Sequence, residues 1–258
     1  MEIGIIQGRL STPDEGFQEC PVNWKKEFET LKRLKLNHIE WIVTKSSFHN
    51  NPIFLRDVRS YPVHSICADN VVSTLVDNRE FLEHNLFPIC EAALRNNIKS
   101  VTIPLLEDSS VEDSRKLDNF CNSFAHVCSR YPSINFSLET ELSLSKVPSL
   151  LSISPNVSLT YDTGNTTSYG ISHKEYILSF GDKITNVHIK DRRRSGVSVA
   201  PLTGDTNFNE IFTYLAKKGY SGVYTLQTAR DSTKKEEETV SNHVKTIRSV
   251  YDKCKKSF

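Results

Sequence analysis

The hydrophobic pattern along the chain alternates between two kinds of segment. Short runs rich in Ile, Val, Leu and Tyr recur eight times, and they lack the polar alternation of a strand with one solvent-facing side. Such runs are typical of strands that are buried on both faces, as in a parallel sheet. The pattern predicts strands at residues 2–6, 38–42, 63–67, 100–104, 135–139, 158–162, 186–190 and 223–227.

The longer segments between these strands carry apolar residues at helical spacing. In the segment 24–34, Phe28, Leu31 and Leu34 recur every three residues, which predicts an amphipathic helix. Similar patterns predict helices at 79–96, 113–131, 208–219 and 236–254, and Gly219 is placed to end its helix. Eight strands with helices between them predict an α/β fold, a single-domain (β/α)8 TIM barrel over residues 1–258, with a doubly wound open sheet as the alternative.

Composition and charge narrow the class of protein. Lys plus Arg number 32 against 31 Asp plus Glu, so the net charge of +1 argues against a dedicated nucleic-acid binder. The start of the chain lacks the pattern of a signal peptide, and no apolar run reaches the length of a membrane span. The six Cys show no C-x-x-C pairing. We therefore expect a cytoplasmic protein with reduced thiols and no membrane partner.

Polar residues close the last four predicted strands. These are Glu139, Asp162, His188 and Gln227. In an α/β barrel the active site lies at the C-terminal ends of the strands, so these side chains are expected at one mouth. Taken singly, each is more simply a cap, a turn former or a satisfied core residue. Because carboxylates and imidazole are the usual ligands of Zn²⁺ or Mn²⁺, the four in register favour a metal site.

The stretch "LTYDTGNTTSYG" (159–170) has two interpretations. Asp, Gly and Asn are turn formers, so a turn alone would account for Asp162, Gly164 and Asn165. They also stand where a strand reaches the barrel mouth. We expect a ligand followed by a tight turn, in which Gly164 permits the bend and Asn165 points into the pocket.

The region from Tyr161 to about Lys245 resembles the xylose isomerase-like TIM-barrel superfamily, and within it the sugar phosphate isomerase/epimerase group. "YDTGN" is similar to the D-x-G-N motif of ketohexulose-phosphate 3-epimerases. The block 186–227 resembles their V-H-x-K-D strand, a P-x-G-x-G-x-x-D-F loop, a helix and a final strand that ends in glutamate. The first half resembles the group more loosely, through "GRLS", "HIEWI" and "LETEL".

The resemblance implies a metal-dependent isomerase or epimerase of a small sugar or sugar phosphate. It places the metal ligands at Glu139, Asp162, His188 and Gln227, for a divalent Mn, Zn, Mg or Co. Glu139 is the implied main base, which moves a proton through an enediolate. The implied substrate-binding residues are Glu40, His64, Asn165, Lys190 and Asp191, and the basic run after His188 adds Arg192. The partner is a small carbohydrate, and a homodimer is left open.

The sequence departs from the group at the fourth ligand. Gln227 stands where the group has glutamate; its carbonyl oxygen can ligate, but it is not a base. This keeps two alternatives open, namely a catalytically degenerate sugar-binding barrel and a one-base metal-dependent sugar dehydratase or lyase. An apurinic endonuclease, also found in the superfamily, is disfavoured by the neutral net charge.

The counterpart of the group's phosphate loop is altered as well. Thr203 and Asn207 replace the usual glycine and aspartate, whereas Gly204 is kept and could let backbone amides approach an anion. The run "KDRRR" (190–194) precedes this loop. Lys190, with Arg192 or Arg193, would offer positive charge to an anionic substrate; a solvated basic loop is the alternative.

Overall fold

The computed structural model of the chain describes residues 1–12, 19–230 and 235–256. Its strands are β1 (Ile3–Ile6), β2 (Ile39–Ile42), β3 (Val63–Cys67), β4 (Ser100–Leu105), β5 (Asn135–Thr140), β6 (Val157–Asp162), β7 (Ile184–Ile189), β8 (Asp191–Arg192), β9 (Ser198–Val199) and β10 (Val223–Leu226). Within the described residues, eight of them close into a barrel in the order β1-β10-β7-β6-β5-β4-β3-β2, and β8 pairs with β9 in a separate ribbon. The predicted TIM barrel is confirmed, and each barrel strand lies within two residues of its predicted bounds.

The helices are α1 (Trp24–Arg33), α2 (Pro52–Leu55), α3 (Arg79–Arg95), α4 (Ser114–Arg130), α5 (Val147–Leu151), α6 (Thr163–Ser168), α7 (His173–Phe180), α8 (Phe208–Lys217) and α9 (Glu236–Lys255). The five predicted helices, α1, α3, α4, α8 and α9, are confirmed. Gly219 follows α8 with φ +66°, the left-handed backbone that favours glycine after a helix. The four unpredicted helices have four to eight residues, too few to show a helical repeat. Within the described part of the chain, no helix combines the length and the apolar content needed to span a membrane.

The chain divides into two compact units, so the prediction of one domain stays a prediction. The first unit comprises the described residues of 1–38 and 161–258 apart from 19–20. In it β10 pairs in parallel with β1 and with β7, and α8 packs against α7 and α9. The second unit comprises 19–20 and 39–160. There β2 to β5 pair consecutively in parallel, and α3 packs against α4.

Buried strand residues include polar pairs as well as the branched apolar side chains that usually fill such barrels. In the second unit Thr102 donates a hydrogen bond of 2.5 Å to the carboxylate of Glu40. In the first unit the hydroxyl of Thr225 bonds Asn186 Oδ1 at 2.9 Å and lies 3.2 Å from His38 Nε2. A buried polar atom without a hydrogen-bond partner is costly, so these pairs allow polar side chains to be buried in and beside the strands.

Candidate metal centre

The predicted ligands lie at the carboxyl ends of consecutive barrel strands. Glu139 is the next-to-last residue of β5, Asp162 the last of β6, and His188 the next-to-last of β7. All three are buried, and each offers one ligand atom such that the three atoms lie within 4.8 Å of one another. Metal–ligand bonds of roughly 2 Å hold ligand atoms up to about 4 Å apart, so small side-chain adjustments would suit one ion.

Gln227 directly follows β10 and extends its pairing with β7. Its backbone N–H donates to Ile189 O at 3.0 Å. In the same strand pair, Thr225 lies opposite His188. The Oε1 atom of Gln227 is buried and has no hydrogen-bond partner among the described residues. An unpaired buried carbonyl oxygen is unfavourable, so this atom is free to accept from a ligand or to bind a cation. Its role as the fourth ligand stays a prediction.

Two carboxylates, an imidazole and an amide oxygen fit a divalent metal. Oxygen and nitrogen donors of this kind suit Zn²⁺, Mn²⁺, Co²⁺ or Mg²⁺, and the set does not single out one of them. None of these four donors is a thiolate, and a thiolate would have favoured softer ions. The residues therefore fit the metal that the sequence predicts and leave its identity open.

Asp162 is held in its ionised form by its neighbours. Its Oδ1 accepts the Asn165 N–H at 2.7 Å, and its Oδ2 lies 3.2 Å from Lys190 Nζ. Burial raises the pKa of Asp162, but the charges of Lys190 and His188 and the Asn165 N–H outweigh it, so the pKa is lowered overall. A carboxylate that stays charged while buried is what binding of a cation requires.

The predicted tight turn after Asp162 is wrong. Asp162 is the N-cap of α6, and Gly164 lies inside that helix without a positive φ. The glycine serves close packing instead: a Cβ at this position would lie 2.7 Å from Lys190 Cγ and 3.1 Å from Arg192 Cγ. A side chain at Gly164 would therefore push away the residue that pairs with Asp162.

Thr163 joins the start of α6 to the end of β7, a contact that the sequence pattern did not reveal. Its hydroxyl donates to Lys190 O at 2.6 Å, accepts from Lys190 N at 3.0 Å, and lies 3.2 Å from His188 O. The Thr163 side chain thus contacts the backbone of both His188 and Lys190. The only sequence signal was a hydroxyl directly after the predicted ligand.

The other predicted substrate-binding residues occupy different parts of their elements. Glu40 is fully buried in β2 and accepts the bond from Thr102 described above, while Asn165 is buried in α6. His64 is half-buried at the second position of β3, near the amino end of that strand. TIM-barrel active sites lie at the opposite, carboxyl ends. Contact of these residues with a substrate stays a prediction.

Asp191 and Arg192 form the short strand β8. The carboxylate of Asp191 accepts the backbone N–H groups of Gly204 and Thr206 at 3.0 and 3.2 Å. Arg192 is half-buried, and its Nε has no hydrogen-bond partner among the described residues. The basic run 190–194 is thus divided between a buried ion pair at Lys190, the half-buried Arg192 and the exposed Arg193 and Arg194.

Two further buried polar residues directly follow β1. Gln7 and Arg9 are buried, and Arg9 Nε donates to Thr228 O at 3.2 Å, just beyond Gln227. The signal was present in "IIQGRLS", where a buried strand is followed at once by an amide and a guanidinium.

Comparison with known proteins supports the fold and the type of barrel. Residues 144–250 match the family model described as xylose isomerase-like TIM barrel. None of the curated proteins is similar enough in sequence to be matched.

Solved structures similar to this one include sugar epimerases. An IolI protein with a bound zinc atom is 17% identical with a TM-score of 0.72, covering 98% of this chain and 99% of that one. An L-ribulose 3-epimerase is 13% identical with a TM-score of 0.73, covering 99% and 96%. A D-allulose 3-epimerase from Methylomonas sp. is 14% identical with a TM-score of 0.74, covering 97% of each chain. At these identities the likeness establishes the fold alone, a TIM barrel.

Proposed function

We propose that this TIM barrel of the xylose isomerase-like type is a metal-dependent isomerase or epimerase of a small sugar. The observation that carries the proposal is the buried group of Glu139, Asp162 and His188, whose ligand atoms lie within 4.8 Å of one another at the carboxyl ends of three strands. The names of the similar structures, a D-allulose and an L-ribulose 3-epimerase, point to the same class of substrate.

The residues divide the chemistry between holding a cation and moving a proton. Glu139, Asp162, His188 and Gln227 would hold the divalent ion, which when bound would polarise the sugar carbonyl and its neighbouring hydroxyl. Glu139 removes the proton from the carbon next to the carbonyl, which leaves an enediolate. Lys190 and the Asn165 N–H keep Asp162 charged and oriented during this transfer.

Gln227 favours isomerisation over two-sided epimerisation. Inversion at one carbon needs a base on one face of the sugar and an acid on the other, and a glutamine supplies neither. In an aldose–ketose isomerisation the same Glu139 can return its proton to the adjacent carbon on the same face, while the hydroxyl proton passes between the two oxygens of the enediolate. A single base then suffices, so a neutral residue at position 227 is compatible with turnover.

The proposal is tested by solvent deuterium exchange. Purified protein loaded with Mn²⁺, Zn²⁺, Mg²⁺ or Co²⁺ is incubated in D₂O with matched aldoses and ketoses, and incorporation at the carbons next to the carbonyl is followed by NMR and mass spectrometry. We expect exchange in the wild type. Glu139→Gln keeps an oxygen ligand, though a weaker one, and removes the base, so at saturating metal it should still hold the ion and lose exchange by about 10²–10⁴-fold.

A matched variant separates the two roles of the site. His188→Ala should lose metal as measured by elemental analysis, and with it exchange, while circular dichroism stays unchanged because the residue lies at a strand end. Wild-type protein that binds metal but exchanges no proton in any sugar would contradict the isomerase proposal.

The neutral Gln227 also supports a second candidate, a barrel that binds sugar without converting it. In that case calorimetry detects sugar binding to the metal-loaded protein while deuterium exchange is absent. A one-base dehydratase or lyase is recognised in the same experiment by a product that has lost water or a carbon–carbon bond.

A further inference from the structure

A cavity of about 390 Å³ lies beside the amino end of β10, within the first unit of the chain. Gln227 directly follows the other end of this strand, so the cavity is distinct from the candidate metal centre. Residues of α8, β10 and α9, and of the segment that joins α8 to β10, form its walls. They are Phe212, Ala216, Gly219, Tyr220, Tyr224, Tyr251 and Lys255. A cavity of this size that is lined mainly by aromatic side chains is typical of sites for small molecules.

Four aromatic rings form the apolar wall of this cavity. The ring centroids of Tyr220 and Tyr224 lie 5.3 Å apart, and those of Tyr224 and Tyr251 lie 5.7 Å apart. Phe212 meets Tyr251 at 5.5 Å, and all three pairs pack edge to face. This is a favourable arrangement of aromatic rings, and it orders the wall before a ligand arrives. A further ring can therefore pack against the wall with little additional loss of side-chain freedom.

Tyr224 brings a hydroxyl that lacks a hydrogen-bond partner to this wall. The residue is 4% exposed, and its hydroxyl, which is not fully enclosed, makes no hydrogen bond to the described residues. By contrast, the hydroxyl of Tyr220 donates to Val223 O at 2.7 Å. Burial, and then the neighbouring Tyr251, raise the pKa of Tyr224, so its hydroxyl stays protonated and can donate. Because a buried donor without a partner is unfavourable, an acceptor on a ligand would be bound favourably here.

The charge beside the cavity favours an anionic ligand. Lys255 is exposed at the end of α9, and it is the only charged residue among the described residues that line the cavity. Aromatic rings alone would also attract a cation, but the Lys255 ammonium repels a cation and attracts a carboxylate. Ala216 and Gly219 are exposed, and a Cβ on Gly219 would meet no atom within 4 Å, so the cavity is open to solvent beside them.

We propose that this cavity is a second binding site of the protein, for a small aromatic carboxylate of one or two rings. The ring of the ligand packs against the aromatic wall. Its carboxylate accepts a hydrogen bond from the Tyr224 hydroxyl and pairs with the Lys255 ammonium. The inference is independent of the proposed function, because none of the residues that line the cavity belongs to the candidate metal centre.

Three probes that share one ring system and differ in charge test the class of ligand. They are 1-naphthoate, 1-naphthalenemethanol and 1-naphthylmethylammonium. Binding to the full chain is measured by calorimetry and fluorescence titration on metal-free protein, so that the carboxylate cannot bind to a metal ion. We expect naphthoate to bind most tightly, at least about ten-fold more tightly than the ammonium probe, and its affinity to fall as salt is added. Equal or tighter binding of either other probe, or no binding of any, would overturn the inference.

Two pairs of variants test the polar contacts. Tyr224→Phe removes only the hydroxyl, so it should weaken naphthoate binding by about ten-fold. Tyr214→Phe removes a hydroxyl from α8 outside the cavity and should leave the affinity unchanged. Lys255→Gln should weaken binding by about two- to five-fold at low salt, because its ammonium is exposed. Lys217→Gln, which removes an ammonium of α8 that does not line the cavity, should not weaken it.

A further variant blocks the cavity without changing its buried wall. Ala216→Phe places a ring at an exposed position of α8, so the fold should tolerate it, and it should reduce naphthoate binding by at least about ten-fold. Circular dichroism checks that each variant is folded, and Ala216→Phe keeps the test decisive should Tyr224→Phe fail to fold. Wild-type affinity in the folded Tyr224→Phe or Ala216→Phe variant would place the probe elsewhere and overturn the inference.

Discussion

The ion pair between Asp162 and Lys190 offers a quantitative test of the site. Lys190→Met keeps most of the length of the unbranched side chain and removes its charge. It leaves the Asp162 carboxylate, whose side chain is 1% exposed, with the Asn165 N–H at 2.7 Å but without the ammonium that now lies 3.2 Å away. An unpaired buried charge is much more costly than an unpaired exposed one, so the free energy of unfolding should fall markedly.

The size of the loss follows from the geometry. Unit charges 3.2 Å apart attract by roughly 5 kcal/mol at an effective dielectric constant of about 20. Removal of one partner of a buried pair costs roughly 3–5 kcal/mol in measured cases. In a chain of this size about 1 kcal/mol lowers the melting temperature by roughly 2–4 °C, so we expect a decrease of roughly 6–20 °C. Because Asp162 keeps one backbone bond, the lower half of that range is favoured.

The assay is chemical and thermal unfolding of metal-free protein, followed by circular dichroism. Lys218→Met is the matched control: its ammonium lies 2.8 Å from Asp182 Oδ2, but that carboxylate is 74% exposed, so the loss should be about 0–1 kcal/mol. Saturating Mn²⁺ or Zn²⁺ should reduce the deficit of Lys190→Met, since a cation held by Asp162 replaces the missing positive charge. Equal losses in the two variants would refute the reasoning.

Three further predictions concern other residues of the first unit. Gln227→Glu should lower the dissociation constant for Mn²⁺ in a competition titration, because a hard dication prefers carboxylate to amide oxygen; unchanged affinity would place Gln227 outside the site. Thr163→Val should weaken metal binding by about ten-fold while Thr163→Ser restores it, because the hydroxyl bonds the backbone of Lys190 and a methyl group cannot; equal affinity in both variants would deny that role. Burial lowers the pKa of His173 from 6.5 to about 4, so the unfolded chain binds the extra proton. The stability from this group is complete above pH 6.5 and falls by about 3 kcal/mol as the pH drops to 4. In His173→Gln, the free energy of unfolding measured in urea should depend less on pH between 6.5 and 4. The same pH dependence as in wild type would count against this prediction.

Much of the barrel could be predicted from the sequence, because its signals are local. A strand buried on both faces must be apolar over four to six residues, and a helix that covers it must repeat its apolar residues every three or four positions. The polar residues that end the strands were equally visible, since parallel strands bring their carboxyl ends to one rim. The sequence therefore predicts Glu139, Asp162 and His188 at strand ends.

The partners of these residues were decided only by the tertiary structure. The segment after Asp162 reads as a turn from its residue types, yet it forms α6 because Thr163 and Gly164 meet Lys190, 27 and 26 positions along the chain. The carboxylate of Asp191 accepts the backbone N–H groups of Gly204 and Thr206, 13 and 15 positions along the chain, a pairing that no sequence pattern marks. A sequence pattern shows which groups carry charge or a hydroxyl. The hydrogen bonds and ion pairs that use them join separate strands and loops, so they exist only once the chain has closed into the barrel.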